Sequence, residues 1–303
     1  MRNLGLDLIR CLAIGLILVA HIGQSLRSPW GGAFGIPRFY HVTLGGVAVT
    51  VFLVLSGLVL QLQYRRKTID YPQFLAKRAL RIYPIYYLSV LFGLGVYALK
   101  SQQELGSVAK GFAQLGWSDL LLSLTGAYAF VGEWGGPLVG TSWFVGLIMV
   151  MYAVFPWLSR AMTKAPYRAI GILLATSLVW RIIIGQTEFL PMRPLDWFPL
   201  CRVFEFGLGI FWVELMQGKA ERTWAALEHL GPAITQLSEL SFPLFLIHYP
   251  FMFTIRLLTM KGLPTVVAIG MFLLISFSFS WGLMWLDRKV PRKQLMGLMF
   301  GRA

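Results

Sequence analysis

Apolar residues in this chain neither alternate with polar ones nor keep to a narrow helical stripe. They run on in long stretches at about 6–26, 44–63, 81–99, 142–159, 169–187, 198–216, 239–260 and 264–286. A bilayer's hydrocarbon core takes about 20 residues of helix to cross, so the pattern predicts eight transmembrane helices. Two further stretches raise the ceiling to ten. The first, 117–131, is short for a span, and the second, 224–237, carries Glu228, His229 and Pro232; both read as interfacial or re-entrant pieces. The expected fold is all-α, a polytopic transmembrane helix bundle. With no repeat or low-complexity tract, residues 1–303 are expected to form a single domain.

Composition agrees: 57% of the 303 residues are hydrophobic and 13% are charged, against about 25% charged in soluble domains. Soluble-enzyme, disordered and collagen-like classes are excluded. The first run continues for about 20 residues without a cleavage pattern, so it reads as a retained span rather than a signal peptide. Cys11 and Cys201 both lie inside apolar runs, and no Cys/His spacing suits zinc, so neither a disulfide nor a metal is expected.

The net charge of +14 is a signal of orientation rather than of nucleic acid. With the N-terminus inside, 17 of the 27 Lys and Arg residues fall in cytoplasmic segments, 6 fall outside and 4 lie within spans. That bias predicts both termini in the cytoplasm.

Charged groups within spans cost about 3 kcal/mol each on insertion scales and need a partner, a wet cavity or a task. The first run has Asp7, Arg10 and His21. Arg10 and His21 share one helical face roughly 16.5 Å apart, and Asp7 stands one turn before Arg10 at ion-pair spacing. Arg10 is open to a snorkelling role and His21 to an interhelical hydrogen bond. Arg78 and Arg81, with Lys77 beside them, suit either a topology signal or a phosphate clamp. Arg202 and Glu205 are spaced for a structural ion pair. His248 lies between Pro243 and Pro250, where a helix break would free carbonyls for it or Ser241 to satisfy. Ser56 and Gly57 permit close helix approach. P-loop, GxSxG, HExxH and HxxxxD motifs are absent.

Six segments, in order over residues 6–251, resemble the integral-membrane acyltransferase type 3 family. LDLIRCLAIGLILVAH (6–21) is similar to its LDxxRaxA…H opening, and GGVAVTVFLVLSGLVL (45–60) to its FFxLSGFL block. FLAKRALRIYPIYYL (74–88) carries an RxxR element as Arg78 and Arg81, followed by Pro84 and Tyr86. TSWFVGLIMVMYAVFPWL (141–158), RVFEFGLGI (202–210) and LSFPLFLIHYPF (240–251) resemble three later blocks. Where many members place an acidic residue five positions after the tryptophan of the fourth block, this chain has Ile148. Members typically have ten spans.

The resemblance implies a bacterial cytoplasmic (inner) membrane O-acyltransferase, most often an O-acetyltransferase. The donor would be acetyl-CoA or another acyl-CoA, and the acceptor a surface or lipid-linked saccharide. Arg78 and Arg81 would bind the donor phosphates, and a pantetheine arm of roughly 15–20 Å would reach along the Asp7–Arg10–His21 face. His21 would act as general base or acyl carrier, with Arg10 held by Asp7, while Ser56, Arg202, Glu205 and His248 bind or support the substrate. A lipid-linked saccharide flippase and a non-catalytic partner of polysaccharide synthesis are the alternatives; lipid is the only other partner expected.

The charge bias makes a testable statement about sidedness. Alkaline phosphatase fused after Lys293 should be inactive in cells, and periplasmic activity of that fusion would invert the orientation.

Overall fold

The computed structural model describes residues 4–26, 44–65, 67–131, 135–186, 197–216 and 231–301, and among these there are helices and turns but no strand. The elements are α1 (Leu4–Ser25), α2 (Leu44–Tyr64), α3 (Tyr71–Leu105), α4 (Val108–Gln114), α5 (Trp117–Thr125), a 3-10 turn (Ala127–Phe130), α6 (Trp143–Lys164), α7 (Pro166–Gln186), α8 (Pro199–Leu215), α9 (Gly231–Met260), α10 (Thr265–Arg288) and α11 (Arg292–Phe300). The all-α membrane bundle read from the sequence is what the chain forms. Among the described residues, α1, α2, α3, α6, α7, α9 and α10 are each long and apolar enough to cross a membrane.

α8 corresponds to the sixth expected span, 198–216, and at 17 residues it is about 25 Å long, close to the thickness of the hydrocarbon core. It runs parallel to α2 along its length. Thr50 meets Arg202, Gly57 lies against Phe206, and Gln61 meets Glu214, so the positions rise together on both helices. Two glycines permit this seam: a Cβ on Gly57 would fall 2.1 Å from the Phe206 carbonyl oxygen, and one on Gly209 would fall 2.0 Å from that of Val54. In lipid, such close backbone approach replaces the hydrophobic force that drives packing in water. The packing reading of Gly57 therefore describes what the residue does.

The stretch 117–131 does not cross. It is broken into the nine-residue α5 and the 3-10 turn, with Gly126 at φ 75° between them, a conformation that glycine adopts without strain. Asp119 anchors the pair by accepting from the Tyr128 hydroxyl at 3.2 Å and the Gly116 N–H at 3.1 Å. Of 224–237, residues 231–237 form the first turns of α9, while 224–230 lie outside the described residues, as do several basic positions used for sidedness, Lys219 and Arg222 among them.

α3 is 35 residues long, about 52 Å, and so extends well beyond a bilayer core. Asp70 caps its start, accepting from the Gln73 N–H at 3.2 Å, and Gly106 ends it at φ 66°. It starts on the side where α2, α6, α8 and α10 end and α9 begins, called here the basic side, and beyond Gly93, which meets Leu138, its last turns pack on α4. Pro84 sits inside α3 and removes the hydrogen bond that Leu80's carbonyl would accept. Arg292 of α11 donates to that oxygen through Nε at 2.8 Å. Pro243 and Pro250 admit a helix break, yet α9 is continuous through both. Pro250 frees the Leu246 carbonyl, and Thr141 compensates by donating to the Phe245 oxygen at 3.1 Å, with the Leu246 oxygen 3.5 Å away.

Gly57→Ala and Gly209→Ala should each push α2 and α8 apart and destabilise the protein by about 1–3 kcal/mol. Thermal unfolding of the purified variants checks this, and a parental melting temperature for both would remove the glycine seam from the packing account.

Candidate functional site

α1 and α9 form the spine of the site, and their registry comes from polar groups in an apolar setting. The Asp7 carboxylate, 1% exposed, pairs with Arg10 Nη1 at 2.9 Å. Its Oδ1 also accepts from Ser238 Oγ on α9 at 2.7 Å. Cys11 Sγ, one turn on along α1, lies 3.5 Å from the Ile234 carbonyl, one turn back along α9, and at the start of both helices Gly231 faces Leu4. Further along, His21 meets His248 with ring centroids 4.9 Å apart and Tyr249 at 5.5 Å, both edge to face. The helices are thus parallel, and the two histidines far apart in sequence become neighbours.

His248 is fully buried, and its Nδ1 lies 2.9 Å from the Leu244 carbonyl. A carbonyl only accepts, so in the neutral ring Nδ1 carries the proton and Nε2 presents a lone pair. Neither His248 Nε2 nor His21 Nδ1 has a hydrogen-bond partner among the described residues. Unpaired nitrogens on two touching imidazoles are costly in a helix bundle unless something polar is to meet them. Gly140 admits Tyr249 to this corner, since a Cβ there would fall 2.3 Å from the tyrosine ring.

On the basic side of this pair lies a cavity of about 370 Å³. Phe52, Phe144 and Phe245 form its wall nearest the histidines, packed edge to face at 4.9–6.5 Å, with the Phe245 ring 6.2 Å from that of His248. At the basic end the lining includes Arg10, Arg78, Arg81, Arg288 and Arg292. Three of these are neutralised. Arg10 pairs with Asp7, Arg288 with Glu239 at 2.7 Å, and Arg292 with Asp287 at 2.5 Å. Arg78 and Arg81 pair with no carboxylate among the described residues.

Arg78 is buried and braced by aromatic faces rather than by charge. Its guanidinium lies 5.5–6.0 Å from the ring centroids of Phe74, Tyr64 and Tyr152, and Nη2 donates to the Tyr64 hydroxyl at 3.1 Å. Its buried Nε has no partner. Arg81, one turn on, is exposed. Two uncompensated guanidinium groups on one cavity wall are fit to receive an anion with planar or tetrahedral oxygens.

The structure therefore gathers Arg10, Ser56, Arg78 and Arg81 on one cavity, with Asp7 behind Arg10 and the histidine pair beyond the aromatic wall. It does not bring Arg202 or Glu205 there. Arg202 bonds Glu205 at 3.2 Å and Thr50 at 2.8 Å, and Arg181 of α7 reaches the same Glu205 oxygen at 3.0 Å, so this network ties α2, α7 and α8 together. Ile148, standing where an acidic residue is common in the resembled family, lines the cavity as a buried apolar side chain. Sequence reasoning missed Tyr249, Glu239, Asp287, Arg288 and Arg292. Tyr249 had one legible signal, its place directly after His248; Arg288 and Arg292 read as ordinary flanking charge, and nothing singled out Glu239 or Asp287. Among the described residues no group of three or more His, Cys, Asp or Glu side chains could hold a metal ion.

Comparison with known proteins adds an independent line. The acyltransferase type 3 family, described as an acyltransferase domain, matches residues 3–215, which takes in α1 to α8 but not α9. The chain is 30% identical over 195 residues to "Acyltransferase MdmB" of Streptomyces mycarofaciens, covering 58% of this chain and 48% of that one. It is 26% identical over 199 residues to "Regulator of hypoxia-inducible factor 1" of Caenorhabditis elegans, covering 59% of this chain and 38% of that one. The chain thus spans about half or less of the length of these curated relatives. No solved structure matches it. A family match over well over half of the residues, carried on helices of membrane-crossing length with the RxxR arginines on a shared cavity, makes the chain a member of the acyltransferase type 3 family.

Proposed function

We propose that the protein is a membrane-embedded O-acyltransferase that takes an acyl group, acetyl above all, from cytoplasmic acyl-CoA and passes it to a hydroxyl of a surface or lipid-linked saccharide. The observation that carries this reading is the pair of uncompensated arginines, Arg78 and Arg81, on a cavity whose far wall adjoins the paired histidines. The whole chain serves as one unit, with α9 and α10 completing the site that the family-matched region begins, in a bacterial inner membrane with both termini cytoplasmic.

In this mechanism the donor's phosphates rest on Arg78 and Arg81, and its pantetheine arm enters the cavity past Arg10 and Ser56. Arg10, fixed by Asp7, donates to the amides of the arm or to the thioester oxygen. A cavity of this volume holds the arm rather than the nucleotide, in keeping with pockets of roughly 300–1,000 Å³ for small ligands. His21 removes the proton from the acceptor hydroxyl, and the oxygen attacks the thioester carbonyl. The carbon–sulfur bond breaks, and the CoA thiolate takes up a proton from the imidazolium. General-base assistance of this kind contributes about 10²–10⁴ in rate. His248, with its Nδ1 proton held by Leu244, supports His21 by presenting a lone pair to its ring.

Transfer of radiolabel from acetyl-CoA to surface glycan in membranes containing the protein tests the reading, against a flippase or assembly partner that would move no label. His21→Ala should fold and insert but lose about 10²–10⁴ of its transfer rate per mole of monodisperse protein. Near-parental specific activity would remove His21 from the chemistry and point to His248.

Arg78→Ala/Arg81→Ala should weaken donor binding by at least about tenfold with little change in acceptor binding, as expected on losing charge-assisted contacts. Because Arg78 is buried, the exposed Arg81→Ala alone is the companion variant. Unchanged donor affinity in a folded double variant would return the pair to a topology signal.

A further inference from the structure

A second cavity, of about 360 Å³, opens on the basic side between the turn after α2 and the last turns of α6. Its lining brings Arg65 and Lys67 from the turn together with Arg160 and Lys164 from α6, alongside the hydroxyls of Thr68 and Thr163, and no carboxylate lines it. Cations in one concavity repel one another, and the repulsion is relieved when an anion enters.

Two features separate this cavity from a solvated basic surface. Arg65 is held from within the bundle: its Nε meets Glu214 Oε1 at 2.9 Å, and the same oxygen accepts from the buried Gln61 Nε2 at 2.6 Å. Lys67, Arg160 and Lys164 form no ion pair among the described residues. The second feature is a shared wall. Tyr64 lines this cavity, and its hydroxyl accepts from Arg78, which lines the first.

We propose that this second cavity binds a phosphate-bearing group. Arg160 supplies a forked donor, Arg65 the guanidinium nitrogens not turned to Glu214, Lys67 and Lys164 mobile point charges, and the Thr68 hydroxyl a neutral donor, while the Thr163 hydroxyl is already given to the Ser159 carbonyl. The group can come from an anionic lipid headgroup, since this side of the bundle meets the membrane surface, or from the phosphate of a soluble nucleotide. The assignment stands on this cavity alone and does not depend on the acyl-transfer reading.

The test uses the full-length protein in phosphatidylcholine nanodiscs with two probes: phosphatidic acid added to the disc, its retention read by native mass spectrometry, and adenosine 3′,5′-bisphosphate, titrated by calorimetry. Arg160→Gln/Lys164→Gln, on the exposed end of α6, is the main variant, and Lys67→Gln on the opposite wall is the second. At least one probe should bind the parent and be weakened about tenfold in the double variant. Loss confined to phosphatidic acid assigns the site to lipid, and loss confined to the bisphosphate assigns it to a nucleotide phosphate. Failure of both probes to bind the parent, or equal binding by parent and both variants, would overturn the proposal. Neither readout involves acyl transfer, so the proposed function can fail while this site stands, and the reverse.

Discussion

The Asp7 carboxylate sets the geometry on which the site depends. Buried in α1, it accepts from Arg10 on its own helix and Ser238 on α9, so it both fixes a guanidinium and locks two helices in register. A carboxylate in such a setting must be compensated, and loss of one partner of a buried pair costs about 3–5 kcal/mol. The helices therefore cannot slide. With Asp7 tied to Ser238 and Leu4 facing Gly231, parallel packing carries His21, as far beyond Leu4 as His248 is beyond Gly231, to His248 and Tyr249, and the cavity follows from the space left between this pair, α2, α3 and α6.

Prolines give the same lesson from the other direction. Each one inside a transmembrane helix deletes a donor, and in lipid the orphaned carbonyl has no water to turn to. Pro84 frees Leu80, whose oxygen receives Arg292 and so seats α11 beneath the cavity. Pro250 frees Leu246 next to the site, and Thr141 approaches that oxygen from the segment before α6. Residues that look like helix breakers in one dimension act as attachment points between elements in three.

The helical membrane class, the main spans and the Asp7–Arg10 pair were legible because they depend on hydrophobic run length and on local i,i+3 spacing. Arg78 and Arg81 were legible as neighbours for the same reason. What joined them to Arg10 was not, since α1 and α3 meet through a cavity whose walls come from seven helices. Nothing in the sequence singled out Glu239 or Asp287, and only the fold shows that they neutralise Arg288 and Arg292. Arg202 and Glu205, spaced for a structural ion pair, form one, and what the spacing did not show is that Arg181 and Thr50 join it to hold α7, α8 and α2 together.

Charge balance then divides the labour along the bundle axis. At the basic end three arginines of the cavity are cancelled by carboxylates and two are not, so that end discriminates by charge and favours a ligand bearing phosphate over a neutral sugar. At the far end there is no comparable field. The groups there are two imidazoles, a tyrosine and a threonine, which recognise hydroxyls by hydrogen bonding and can move a proton. The aromatic wall of Phe52, Phe144 and Phe245 lies between the two ends and separates the imidazoles from the charged lining. A ligand long enough to touch both ends would meet fixed positive charge at one and hydrogen-bonding groups at the other, and that polarity, rather than any one residue, is what the proposed thioester donor would use.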